Sequence, residues 1–156
     1  MQLKEFQANG FRLLSELDSS GVIHYPAAAV NIVKGDYIVP NAGYATNTAV
    51  AFQVLALGIA AEDCDNSAGA AGDKNVAVIP LLAHYQWSVP VATNAVISRT
   101  NVGVAYDLEA NDDIDISDST IVASALGFLV DDFDASAAAV AANTDGYAIG
   151  RFIIAS

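Results

Sequence analysis

The chain is poor in the residues that staple, ligate or bind anions. Cys64 is its only cysteine, which excludes an intramolecular disulfide framework and any zinc site built on cysteine pairs. Histidine is confined to His24 and His84. Lys and Arg number 6 against 18 Asp and Glu, a formal charge of −12. A chain this acidic lacks the positive footprint that nucleic acid or an anionic membrane demands, so neither is an expected partner. Long apolar runs are missing too: the richest, Ala49 to Ala61, is broken by Gln53 and falls short of a membrane span. The opening Met1-Gln2-Leu3-Lys4-Glu5-Phe6 has no apolar h-region and does not read as a secretory signal. Synthesis in a reducing cytoplasm is the expectation.

Apolar residues are abundant. At 54% hydrophobic and a mean hydropathy of +0.40, the 156 residues fit one domain with a genuine core and exclude disorder throughout. The charge is divided unevenly. Residues 1–34 balance Lys4, Arg12 and Lys34 against Glu5, Glu16 and Asp18, whereas from Gly35 onward only Lys74, Arg99 and Arg151 face the remaining acids. All of the net charge belongs to the body, and such asymmetry points to a leading arm with a separate job.

Within that arm, residues 1–21, the apolar positions Leu3, Phe6, Leu13, Leu14 and Leu17 recur at helical spacings, with Gly10 where another would fall. A central Gly costs a helix about 1 kcal/mol relative to Ala, so an extended or partly helical arm is expected, ending at Asp18-Ser19-Ser20-Gly21. From Val22 to the end the texture is that of a single β domain, 22–156. Short apolar runs alternate with Gly, Pro, Asn and Asp at the spacing of sandwiches and barrels. Strands are expected over 22–25, 30–33, 37–39, 50–60, 76–82, 85–89, 96–98, 102–108, 114–116, 121–130 and 147–154. At most a turn of helix is expected over Ala135–Ala142. Many small side chains suit a narrow barrel. Leu81, Ala83, Tyr85, Trp87 and Val89 read as a core face, with Leu82, His84, Gln86 and Ser88 outward.

An internal echo is also present. Residues 56–68 align without gaps on 125–137, and each is followed by a small-residue loop and an apolar run. The unit reads strand, acidic corner, loop, return strand, which is a long-loop hairpin used twice in a pseudo-symmetric β domain.

Chemistry is weakly signalled. Asp63-x-Asp65-x-Ser67 starts like a calcium loop, but Ala68 stands where that motif needs Gly and Lys74 where it needs Glu. Asp112, Asp113, Asp115 and Asp118 cluster without a ligand order. Cys64 among acids would have a raised thiol pKa, and no nucleophile elbow or phosphate loop occurs. Six tyrosines are scattered along the chain, as core residues with rim hydroxyls would be. The reading is of a protein without catalytic residues, metal or cofactor.

The run Val33-Lys34-Gly35-Asp36-Tyr37-Ile38-Val39, followed by Leu57-Gly58-Ile59-Ala60-Ala61-Glu62-Asp63, an Ala/Gly-rich loop and Val76-Ala77-Val78, resembles the capsid cement, or head decoration, proteins of tailed phages. The section from Asn101-Val102-Gly103-Val104 through Ala125-Leu126-Gly127-Phe128 to Gly150-Arg151-Phe152-Ile153 is similar to that family's C-terminal half. The resemblance implies an all-β, small β-barrel or β-tulip-like domain without enzymatic activity. Such a protein binds the outer surface of an assembled capsid and staples its major capsid protein subunits together. A homo-oligomer, trimer or dimer, is implied, made in the bacterial host and located on the virion. An adhesive or carbohydrate-binding β domain of a phage head is the alternative. The family has no active-site motif to transfer, so the expected contact residues are the arm's own: Leu3, Phe6, Phe11, Leu13, Leu14 and Leu17, facing the shell or a neighbouring copy. Removal of residues 1–17 is expected to abolish that contact and leave the domain folded.

Overall fold

A computed structural model of the chain describes residues 10–19, 21–48, 55–91, 96–117, 126–142 and 145–154. Its strands are β1 (Arg12–Leu13), β2 (Ile23–Pro26), β3 (Asn31–Ile32), β4 (Tyr37–Asn41), β5 (Tyr44–Thr46), β6 (Gly58–Ala60), β7 (Cys64–Asp65), β8 (Asn75–Ile79), β9 (Trp87–Pro90), β10 (Ala105–Ala110), β11 (Asp113–Asp115), β12 (Leu126–Asp134) and β13 (Tyr147–Ile154). One short helix, α1 (Ala137–Ala142), lies between the last two strands. The fold is all-β.

The strands form three sheets, ordered β1-β9-β13-β12-β10-β11, β2-β8-β6-β4-β5 and β3-β7. The echo of residues 56–68 in 125–137 becomes structure here. β6 pairs antiparallel with its return strand β8, as β12 does with β13. Leu57-Gly58 and Leu126-Gly127 open the two hairpins.

The repetition extends beyond the hairpins. In each set of five strands, the first in chain order pairs with the fifth, the fifth with the fourth, the fourth with the second and the second with the third. That order gives β2-β8-β6-β4-β5 in one repeat and β9-β13-β12-β10-β11 in the other. Even the irregular contacts recur. Ala27, just after β2, makes a parallel bridge to Ala45 on β5; Val91, just after β9, makes one to Ile114 on β11. Tyr37 opposite Ile59 is matched by Tyr106 opposite Phe128.

These bridges curl the two large sheets back on themselves, yet among the described residues neither closes. One isolated bridge at each mouth is not the continuous ladder that a barrel requires, and β5 and β11 are only three residues long. Two open, curled sheets stand in place of the expected barrel.

Each curl wraps apolar side chains. Ala27, Ile32, Ile38, Ala45, Ala60, Cys64, Val76 and Val78 fill the first. The larger cluster joins Trp87, Val89, Tyr106, Leu108, Ile114, Phe128, Val130 and Phe152 to Tyr37, Val39 and Ile59 of the first repeat, so the repeats share a core. Tyr85, Trp87 and Val89 are buried as their alternation predicts. Ser88, expected to face outward, is buried as well, opposite Arg12 beneath β1. Residues 96–98 form no strand; a 3-10 turn, Arg99–Asn101, follows them. The expected strands over 50–60 and 121–130 are seen at their ends only, since residues 50–54 and 121–125 lie outside the described residues.

Candidate functional site

The first segment is where the expected contact residues lie, and its described part is extended. It enters at Gly10, whose φ of +86° lies in the left-handed region that glycine adopts freely. The Gly10 N–H donates to the Asp112 carbonyl at 2.7 Å, and the Phe11 N–H to the Gly35 carbonyl at 2.8 Å. Arg12 and Leu13 then lie opposite Ser88 and Trp87 as an edge strand on β9.

Side chains and backbone continue the seam past the strand. The Leu14 N–H donates to the Gln86 carbonyl at 2.8 Å, and the Gln86 N–H donates to Ser15 Oγ at 2.8 Å. The Asp18 N–H donates to the Tyr85 hydroxyl at 2.8 Å, and His84 Nε2 approaches Asp18 Oδ2 at 3.4 Å. From Gly10 to Asp18 the segment is stitched to one edge of the larger sheet.

Three of the expected contact residues meet at an open groove of about 520 Å³ beside this seam. Phe11, Leu13 and Leu17 line one wall with Arg12 and Ser15; Lys34, Ile59, Ala60, Ala61 and Ile79 of the first repeat line the other. Among the described residues, the only charged side chains lining it are Arg12 and Lys34.

The six residues have different fates. Leu3 and Phe6 lie outside the described residues. Phe11, 2% exposed, stacks edge-on against Phe128 at 5.8 Å between ring centroids and tilts against Phe152 at 5.2 Å. It is a core residue, with only its margin on the groove. Leu13 is half-buried and Leu17 is 46% exposed. Leu14 is half-buried and does not line the groove. Nothing in the apolar spacing marks the opposite wall; the groove as a whole carries two of the three cations of residues 1–34, Arg12 on the first wall and Lys34 on the opposite one.

Asp65 Oδ1 accepts the Ser67 N–H at 3.0 Å and the Ser67 hydroxyl as well, so this acidic corner closes on itself. Those bonds hold the Asp65 carboxyl below the usual range. Asp134 Oδ1 accepts the Ser136 N–H at 3.0 Å, the same turn in the second repeat. Asp115 and Ser117 form a third. Lys74 Nζ donates to the Asp65 carbonyl at 2.6 Å, placing a cation where the calcium-loop pattern would need an acid. Among the described residues no group of three or more His, Cys, Asp or Glu side chains is arranged to hold a metal.

Two acids beside the Gly10 anchor are strained by their setting. Burial, reinforced by Asp112, pushes the Asp113 carboxyl up to about 6. Burial also raises Asp36, against hydrogen bonds from Asn47 and the Val33 N–H that lower it.

The geometry defines an all-β protein of two similar curled sheets, with an extended leading segment seamed to one of them. No family model, curated protein or solved structure matches the chain. No helix among the described residues is long and apolar enough to cross a membrane.

Proposed function

We propose that this chain is a structural cement protein of a tailed-phage head, binding the outside of an assembled shell and linking its major capsid protein subunits. The observation that carries the reading is the groove beside the first segment. Leu13 and Leu17 offer apolar surface there, next to the positive Arg12 and Lys34, on a molecule that is otherwise strongly acidic. A single such groove gives a weak contact. Repetition over a lattice, or within a homo-oligomer, raises the effective affinity by about 10²–10⁴.

The residue pattern around Gly35-Asp36 and Gly58-Ile59-Ala60 adds the family resemblance, and the curl of each five-stranded set is compatible with a barrel-derived, β-tulip-like ancestry. A sugar-binding role draws less support. Trp87, Tyr37, Tyr85, Tyr106 and Tyr147 are all buried, whereas carbohydrate recognition needs exposed aromatic faces. The test is to mix purified protein with undecorated tailed-phage capsids and image them. Regular density on the outer surface between capsomers is expected, weakened when Leu17 and Lys34 are both replaced by Glu. Bare shells at excess protein would overturn the reading.

A further inference from the structure

The groove beside the first segment has an open backbone edge as well as apolar walls. β1 is the last strand at one end of the larger sheet, and hydrogen bonding fixes which of its groups face outward. The Leu14 N–H donates to the Gln86 carbonyl, while Arg12 lies opposite Ser88 and Leu13 opposite Trp87. Successive residues of an antiparallel strand turn their backbone groups to alternate sides. The N–H and C=O of Leu13 therefore point away from β9, and among the described residues neither has a partner. Phe11 points its N–H the same way, and there the Gly35 carbonyl accepts it. The outer edge of β1 is thus closed at Phe11 by the residue next to Lys34, and open at Leu13, about 7 Å further along.

The side chains around that open position define what fits it. Leu13 and Ile79 are half-buried and Leu17 is exposed, and with Ile59 they line the groove from both sides. Its charged lining among the described residues is of one sign, Arg12 and Lys34. Asp63 accepts the Lys34 N–H at 2.7 Å and does not line the groove. The volume of about 520 Å³ is that of a ligand cleft. A small apolar carboxylate would satisfy the walls and the cations. It would leave Leu13 unsatisfied, whose outward donor and acceptor together match another backbone.

We propose that this groove binds an extended, acidic segment of a partner protein as a short strand added to β1. One residue of the segment pairs its N–H and C=O with those of Leu13, apolar side chains cover Leu13 and Leu17, and a carboxylate lies beside Lys34. Main-chain bonds supply the affinity in such strand addition, and the side-chain contacts supply the specificity. The added ladder is short because Gly35 already holds the Phe11 position, so a single contact is weak. This deepens the shell-binding reading and rests on it only for the source of the segment, a subunit of the shell.

The test titrates the full-length, isotope-labelled protein with the peptide acetyl-Val-Glu-Val-Glu-Val-amide and follows the backbone amides by NMR. Without peptide the Leu13 amide is expected to exchange freely with solvent; with peptide it should shift downfield and exchange more slowly. N-methylation of the peptide's central Val removes one of the two paired donors and is expected to weaken binding about fivefold. Lys34→Glu should weaken it by up to about fivefold, and acetyl-Val-Lys-Val-Lys-Val-amide should give no shift at Leu13. A Leu13 amide already protected before peptide is added would mean that the chain itself fills the edge, and the proposal is wrong. Equal binding of the N-methylated peptide, or a response to sodium octanoate alone, would make the groove a site for apolar carboxylates and overturn the strand. No shift at Leu13 with excess peptide overturns it as well, even if capsids are decorated. A Leu13 shift alongside bare capsids would uphold the groove's specificity and remove the shell subunit as its source.

Discussion

Gly10 packs against the backbone of Gly35 so closely that a Cβ on Gly10 would lie 2.9 Å from the Gly35 Cα, carbonyl carbon and oxygen. The contact sits next to the Phe11 N–H bond to the Gly35 carbonyl and fixes where the first segment joins the domain. Gly10→Ala is therefore expected to destabilise the fold by more than about 2 kcal/mol, from positive φ and backbone clash together. Gly43 supplies the control. Its φ is +87°, but nothing lies within 4 Å of its added Cβ, so Gly43→Ala should cost only about 1 kcal/mol. Urea denaturation of the two variants checks both numbers, and equal losses would remove the role given to the Gly10–Gly35 contact.

Phe11 and Leu17 separate what the first segment does for folding from what it offers outward. Phe11→Ala empties a site between Phe128 and Phe152 and is expected to cost about 3–5 kcal/mol. Leu17→Ala, at a half-exposed position, should change stability by less than about 0.5 kcal/mol. Removal of residues 1–17 takes Phe11 and the β1 seam with it, so that truncation is expected to unfold the domain and cannot isolate binding. Truncation before Gly10 keeps every described contact of the seam, and its circular dichroism melt should match that of the full chain.

Much of the β framework is legible in the residues, and the reasons for the rest are physical. Tyr147–Ile154 is announced by a near-continuous apolar run, and Tyr85, Trp87 and Val89 by alternation, although Ala83 of the same expected face is exposed and Ser88 of the other is buried. The hairpin echo is carried by residues with fixed backbone jobs: Leu57-Gly58 and Leu126-Gly127 at the strand starts, and Asp65-x-Ser67 and Asp134-x-Ser136 at the corners. The wider five-strand repetition has no such markers, because Tyr25-Pro26-Ala27 and Val89-Pro90-Val91 share little beyond their proline. Arg12–Leu13 reads as half of a helical pattern; long-range bonds to Ser88 and Gln86 decide it instead. Tyr44–Thr46 and Cys64–Asp65 are too short to show alternation at all. The groove needs Lys34, Ile59 and Ile79 brought beside Leu13, and only tertiary structure does that.

The acids near the Gly10 anchor give stability a pH signature. Asp113 titrates near 6 in the folded chain against an ordinary 3.8, mainly from burial and then from Asp112. Between those values the folded state holds a proton that the unfolded state has released, so this group's contribution weakens as pH rises from about 4 to about 6 and is level above. Asp36 acts in the same direction. Asp113→Asn retains an acceptor for the Ala110 N–H, bonded at 2.9 Å in the native chain, and abolishes the titration. It is expected to be more stable than wild type at pH 7 and equal to it near pH 4. A stability difference independent of pH would show that Asp113 is not the group responsible.

Asn66 offers the sharpest test of how the first acidic corner is held. Its side-chain amide, 1% exposed, donates to the carbonyls of Ala27, Ala28 and Ala70 at 3.3, 3.2 and 2.9 Å. It thereby ties the loop after β7 to the end of β2. Ala at this position leaves those carbonyls without that donor, at a cost of about 2 kcal/mol. If the loss falls on local opening of the corner, Cys64 reports it, since its buried thiol reacts only when the loop lifts. A change of about 2 kcal/mol then accelerates modification of Cys64 roughly thirty-fold in Asn66→Ala under native conditions. Asn66→Asp should not restore slow labelling, because a carboxylate keeps the shape but loses both donors and adds charge to an acidic, buried corner. Labelling at the wild-type rate in both variants would mean that the corner is held by the Asp65–Ser67 turn and the β3–β7 ladder, without Asn66.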